Sequence, residues 1–318
     1  MTLPRLHVAV LMGGWSSERE VSLMSGRGVA GALRARGHRV TAIDMGRDVA
    51  QRLAEAAPDI VFNALHGTPG EDGTVQGMMD LMGLCYTHSG LATSVIAIDK
   101  GLTKQALVPH GIPMPGGRIV ASEELYRRDP LPRPFVLKPV NEGSSVGVAI
   151  VTEASNFGTP ISREAQGPWR HFARLLAEPF IRGRELTVAV LAARDGPRAL
   201  MVTELKPSSG FYDFAAKYTD GLTEHVCPAG IPEEIALACR EIALAAHRLL
   251  GCRGTSRADF RWDDSQGVEG LFLLEVNTQP GMTPLSLVPE QARHVGLDYG
   301  DLVEAILEDA LAGKEGSP

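Results

Sequence analysis

The first 65 residues alternate between apolar strands and amphipathic helices, and that rhythm leaves few folds open. Residues 5–12 read as a strand, and Gly13-Gly14 turns the chain. Ser17 with Glu20 three places on makes a capping box, so a helix is predicted from there to about Arg36, with Gly37 at a left-handed C-cap. Residues 39–44 read as a second strand, 48–57 as a short helix closed by Pro58, and 59–65 as a third strand. A β-α-β-α-β order calls for parallel strands with helices on both faces, a doubly wound α/β start. Such sheets put ligands at the carboxyl ends of their strands.

The rest of the chain changes character. Residues 75–82 read as a helix, 84–87 as a short strand and 91–109 as one or two helices, before the Pro/Gly punctuation of 111–117. Strands are predicted over 135–138 and 148–152, flanking the loop 141–147, then a loop over 154–170 and a helix over 171–177. Strands at 185–192, 199–205, 257–262 and 271–276 surround a helix over 233–250, which Pro232 opens and Gly251 closes. A helix over 299–312 and a frayed polar tail end the chain. The fold class expected is α/β followed by α+β, divided into 1–90, 91–180 and 181–318.

Several function classes fall on composition. There are 31 basic and 38 acidic side chains, a formal charge of −7, whereas phosphate-backbone binding wants a basic face. The apolar run over 6–12 is too short to span a bilayer and lacks the flanks of a signal peptide. Cys85, Cys227, Cys239 and Cys252 show no CxxC and no Cys/His ligand spacing, which fits free thiols in a reducing cytoplasm. No HExxH and no GxGxxG occurs, so neither a zinc hydrolase nor a dinucleotide-dependent oxidoreductase is supported. Glycine makes up 35 of 318 residues, about 11% against a usual ~7%. That surplus points to tight turns and to places where backbone approaches a ligand.

Five blocks carry chemistry. Gly13–Glu20 is a glycine turn at a helix N-terminus, an anion site whose Glu18 could instead hold an ammonium group. The loop 66–73, His-Gly-Thr-Pro-Gly-Glu-Asp-Gly, follows a buried strand. Lys138 ends a strand before a Gly/Ser loop that could cradle phosphate. Arg257 and Asp259 are two apart on one strand, as are Glu275 and Asn277 on another, so each pair shares a face. If those strands pair, Asp259, Glu275 and Asn277 meet as oxygen ligands suited to magnesium, with Arg257 beside them. The block 212–218 holds Lys217 in a long connection of the kind that forms lids.

Together these blocks resemble the D-alanine–D-alanine ligase family of the ATP-grasp superfamily. The carrying segments are GGWSSEREVSL, LHGTPGEDGTVQG, DKGLTK, LKPVNEGSSVGV, FYDFAAKY, CPAG, SRADF and LEVNTQPGMTPLSLVP, in order along nearly the whole chain. The resemblance implies an ATP-grasp fold with a Rossmann-like (preATP-grasp) N-terminal domain. It also implies ATP-dependent joining of two D-alanines through a D-alanyl phosphate, for bacterial peptidoglycan. By resemblance, Glu18 holds the first ammonium group and His66 belongs to the substrate loop. Lys100, Lys138, Ser144 and the lid residue Lys217 meet phosphates. Glu178 and Ile181 lie at the adenine hinge, and Glu185 at the ribose. Asp259, Glu275 and Asn277 ligate two Mg2+ (or Mn2+) ions. Arg257 and the Gly281 N–H stabilise an oxyanion, and Ser286 binds the second carboxylate. A cytoplasmic homodimer acting on small molecules, without nucleic acid or membrane, is implied as well. Pro179, Gln279, Leu285 and Thr255 depart from the family pattern. Alternatives are a D-alanine–D-lactate-type or other ATP-grasp carboxylate–amine ligase, or a nucleotide-binding regulator without catalysis.

The resemblance implies that Tyr218 bridges the lid to Ser144 and goes with D-alanine as acceptor, where phenylalanine goes with D-lactate. Tyr218→Phe is therefore expected to shift acceptor preference toward D-lactate in a competition assay. An unchanged preference would contradict this reading.

Overall fold

The computed structural model describes residues 3–143, 147–155, 172–193, 195–207 and 223–315. Ser144, Lys217 and Tyr218 lie outside these residues, as does the segment 156–170.

β1 (His7–Met12) is buried along its whole length, as a central parallel strand must be. It pairs with β2 (Arg39–Asp44) and β3 (Ile60–Asn63), both parallel, in the order β2-β1-β3. The strand predicted over 84–87 is reduced to a single parallel bridge between Val61 and Tyr86. α1 (Arg19–Ala35), α2 (Val49–Ala56) and α3 (Thr74–Leu81) accompany this sheet. The predicted capping box is not formed. The helix begins at Arg19, so Glu18 takes the N-cap position, with no side-chain cap bond, and Ser17 falls outside the first turn. Ser16 takes over locally, accepting from the Glu18 N–H at 3.2 Å and donating to the His66 carbonyl at 2.6 Å.

α4 (Leu91–Ile98) and α5 (Lys100–Leu107) lead into the second sheet. It holds β4 (Arg118–Ala121), β5 (Phe135–Pro139), β6 (Ala149–Val151) and β7 (Arg174–Pro179), antiparallel in the order β4-β7-β5-β6. β7 corrects the helix expected over 171–177. It is an interior strand between β4 and β5, and its Leu175-Leu176-Ala177 run is apolar because both faces are covered. A short apolar run of that kind has no period to separate strand from helix.

The third sheet is antiparallel: β8 (Arg184–Leu191), β9 (Arg198–Pro207), β10 (Thr223–Val226), β11 (Thr255–Trp262) and β12 (Leu271–Asn277), in the order β10-β9-β8-β11-β12. α6 (Glu233–Leu249) covers it and buries Ile235, Cys239, Ala243 and Ala246 against Leu186, Val188 and Phe260. The chain ends in α7 (Leu287–His294) and α8 (Tyr299–Glu315).

One core joins the first and third sheets. Val8, Val10 and Phe62 pack with Val29 and Leu33 of α1, Leu302, Ile306 and Leu307 of α8, and Leu191 and Leu200 of the third sheet. Arg36 at the end of α1 adds ion pairs to Asp298, Asp301 and Glu304 at 2.7, 2.8 and 3.1 Å. The N-terminal sheet and the C-terminal residues therefore cohere as one body, which fixes the loops between them. The four cysteines are free thiols. Among the described residues no helix is long and apolar enough to cross a membrane.

His88 is buried edge-on to Phe62. Burial, with help from the nearby His66 and Arg253, pushes its pKa down to about 3, and burial lowers His247 to about 4. Above pH ~6.5 both the folded and unfolded chains carry these rings neutral. As pH falls from there toward the folded values, the unfolded chain takes up protons first, so stability falls by up to about 1.4 kcal/mol per pH unit per ring. His88→Asn, which tolerates the left-handed φ of 68° at that position, is expected to flatten this slope in urea unfolding measured against pH. An unchanged slope would contradict it.

Candidate active site

A cavity of about 460 Å³ opens where the three sheets meet. Glu18 enters it from the start of α1, His66 and Glu71 from the loop after β3, and Lys100 from the first turn of α5. Glu142 follows β5, and Arg257, Glu275 and Asn277 come from β11 and β12. Gly281 and Ser286 close it from the connection to α7. Eight residues expected at the site thus share one cavity: Glu18, His66, Lys100, Arg257, Glu275, Asn277, Gly281 and Ser286.

The floor of the cavity is set by strand register. β11 and β12 pair antiparallel, with Arg257 opposite Asn277 and Asp259 opposite Glu275. This is the pairing that the two-residue spacings anticipated. Asp259 receives a bidentate pair from Arg257, at 2.8 and 2.7 Å, and the Thr187 hydroxyl at 2.6 Å. Lys100 lies 3.3 Å from Glu275 and donates to the Glu142 carbonyl at 2.6 Å. The donors Asp259, Glu275 and Asn277 are all hard oxygens, the set that magnesium or manganese selects. Two carboxylates opposed across a strand pair also call for positive charge between them.

The opposite wall is acidic. Burial raises the Glu71 carboxyl above its usual range, the His66 hydrogen bond opposes that rise, and the Glu18 charge adds to it. Glu142 is raised by burial, with Lys100 opposing and Glu18 adding. Gly67 lets this wall close: its φ is +64°, and a Cβ there would stand 3.0 Å from a Glu18 carboxylate oxygen. Such a wall is suited to an ammonium group.

His66 Nδ1 lies 3.2 Å from Glu71 and Nε2 lies 3.1 Å from the Ser25 hydroxyl. Ser25 in turn accepts from the Met282 N–H at 3.3 Å. The N-terminal loop is thereby linked to the residue after Gly281. Ser286 Oγ accepts the Thr283 N–H at 2.9 Å, and a Cβ on Gly281 would come within 2.7 Å of it, so a larger residue there would displace the hydroxyl.

A second group lies on the two antiparallel sheets. Glu178 of β7 is buried between Lys138 at 2.5 Å and Lys104 at 2.6 Å. Two ammonium groups on one carboxylate leave a positive charge, which an anion would neutralise. Arg261 pairs with Glu185 at 3.5 Å and donates to the Ile181 carbonyl at 3.2 Å. Sequence reading did not single out Lys104, although DKGLTK contains it. It also missed Ser25, Asn63, Thr187 and the Glu71 role, whose signals are long-range contacts without a local pattern.

An α/β first sheet followed by two antiparallel sheets is the ATP-grasp architecture. The family model for the D-ala D-ala ligase C-terminus matches residues 122–308, and the model for the D-ala D-ala ligase N-terminus matches residues 47–89. A D-alanine–D-alanine ligase of Novosphingobium aromaticivorans is 76% identical over 316 residues, covering 99% of this chain and 100% of that one. The one of Zymomonas mobilis is 66% identical, covering 96% and 94%. The Bacillus anthracis D-alanine–D-alanine ligase complexed with ATP superposes with a TM-score of 0.79 at 26% identity, covering 98% of this chain and 99% of that one. The chain belongs to the D-alanine–D-alanine ligase family.

Gln279 has a structural role. It is buried, accepts from the Asn63 amide at 2.8 Å and donates to the Leu65 carbonyl. Gln279→Met would strand a buried amide and a carbonyl. It is expected to cost about 1–3 kcal/mol in denaturant unfolding, with Asn63→Ala adding less than its separate cost. Full additivity would contradict the coupling.

Proposed function

We propose that this cavity joins two D-alanines at the expense of ATP, giving D-alanyl-D-alanine, ADP and phosphate. The opposed Asp259 and Glu275, with Arg257 paired to Asp259 and Gly281 lining the same cavity as Arg257 and Glu275, carry this reading. A phosphoryl transfer needs charge neutralisation, and an acyl transfer needs oxyanion donors. One cavity here brings parts for both.

Glu18 in the acidic wall would hold the ammonium of the first D-alanine, with His66 orienting the loop around it. Lys100 would meet phosphate at the cavity, and Lys138, poised on Glu178 with Lys104, would meet it from the second sheet. Ile181 and Glu185 would face the adenine and the ribose, and Ser144, Lys217 and Tyr218 complete the set from the sequence alone. Asp259, Glu275 and Asn277 would hold two Mg2+ (or Mn2+) ions, which supply charge neutralisation on the transferred phosphoryl group. The first carboxylate attacks the γ-phosphate of ATP, and the second amine, as the free base, then displaces phosphate from the acyl carbon. Arg257 and the Gly281 N–H would stabilise the tetrahedral adduct. Ser286 Oγ accepts the Thr283 N–H and also lies 2.9 Å from the Thr283 hydroxyl; with Thr283 donating there, the Ser286 proton would bind the second carboxylate. We further propose three structural units divided near residues 90 and 180, and a cytoplasmic homodimer serving peptidoglycan synthesis.

The purified chain with ATP and Mg2+ is expected to form ADP and dipeptide in equal amounts only when D-alanine is added. Arg257→Met is expected to lower kcat by roughly 100- to 1,000-fold, with a far smaller change in KM for ATP. ADP formation without D-alanine, or an Arg257→Met variant of near-normal kcat, would overturn the assignment.

A further inference from the structure

At β10, an edge strand of the third sheet among the described residues, three side chains of different chemistry converge. Cys227 follows β10 directly, and Glu290 and His294 stand on α7. One ligand atom from each, a thiol sulfur, a carboxylate oxygen and an imidazole nitrogen, lie within 4.8 Å of one another. Glu290 and His294 are four apart on a helix, so they present neighbouring side chains on one face. His225 of β10 bonds the Glu290 carboxylate through Nδ1 at 2.8 Å. A carboxylate with that bond keeps lone pairs for a further ligand.

We propose that Cys227, Glu290 and His294 form a Zn2+ site, with His225 holding the Glu290 carboxylate in position. The donor set is what separates this site from the cavity. Sulfur, nitrogen and one oxygen suit a borderline-soft ion and do not suit magnesium, whereas Asp259, Glu275 and Asn277 offer oxygen alone. Tetrahedral zinc with bonds of about 2.0–2.3 Å sets its ligands roughly 3.3–3.8 Å apart, so modest side-chain rotation closes the present spacing. Three protein ligands leave the fourth position to water. Ligating carboxylates are themselves held by hydrogen bonds from outside the metal shell, which is the role His225 has here. Binding replaces the thiol proton with the metal, and the proton leaves to solvent.

The ion would clamp the edge strand β10 to α7. α7 begins directly after Ser286, and β10 begins directly after the segment 208–222, which carries Lys217 and Tyr218. The clamp therefore joins an edge strand of the third sheet to the helix that follows Ser286. It stands on donor geometry and does not depend on the reaction proposed above.

The test uses the full chain, stripped with chelator and titrated with Co2+ in excess Mg2+, which occupies the oxygen sites. One cobalt ion is expected to bind with a thiolate-to-cobalt charge-transfer band in the near ultraviolet. The band is expected to vanish in Cys227→Ser and in His294→Ala. Zn2+ is expected to bleach it, and His225→Ala to weaken Zn2+ binding by about 10- to 100-fold in chelator competition. Retained ATP-dependent thermal stabilisation shows that each variant is folded. A wild-type chain without the band, or a band that survives either ligand substitution, would overturn the proposal.

Discussion

The site depends on two carboxylates that strand register forces to face each other. Asp259 and Glu275 are cross-strand partners on β11 and β12. Like charges in that position are destabilising, so the surroundings must supply positive charge. Arg257 pairs with one carboxylate and Lys100 with the other. Lys100 also reaches the Glu142 carbonyl, which draws the first turn of α5 and the end of the second sheet toward the third. The electrostatic demand of one strand pair thereby brings elements from two sheets to one place. The same demand makes the place receptive to further positive charge.

The N-terminal sheet completes the enclosure by different means. Its core is shared with α8 and the third sheet, so its loops are held at fixed positions relative to β12. Hydrogen bonds then refine the fit: Gln279 to Asn63, and Ser25 between His66 and the Met282 N–H. An acyl phosphate intermediate must be kept from water. A cavity walled from all three sheets serves that need.

Much of this was legible in the sequence. The parallel start followed from periodicity, because β1 is buried on both faces and reads as an unbroken apolar run. The β11–β12 site followed from two-residue spacing, which holds wherever strands are regular. What escaped had no local signature. β7 is equally apolar but flanked by ambiguous sequence, so its strand character came only from its neighbours β4 and β5. The eight-residue helix α7 was hidden by Pro289, which a first helical turn tolerates but which reads as a breaker. The Ser17–Glu20 pattern misled because the helix begins at Arg19, one residue after Glu18 takes the N-cap position. Lys104 and Gln279 were within named motifs, yet their partners are far away in sequence, and only the fold reveals them.

In the proposed reaction a carboxylate is activated by phosphoryl transfer in this cavity before an amine attacks it. Oxygen-18 in the carboxylate of D-alanine tests it most directly, read as the mass of the phosphate released with each dipeptide. One labelled oxygen is expected to pass from D-alanine into phosphate for every peptide bond made. Dipeptide formed with unlabelled phosphate would contradict it.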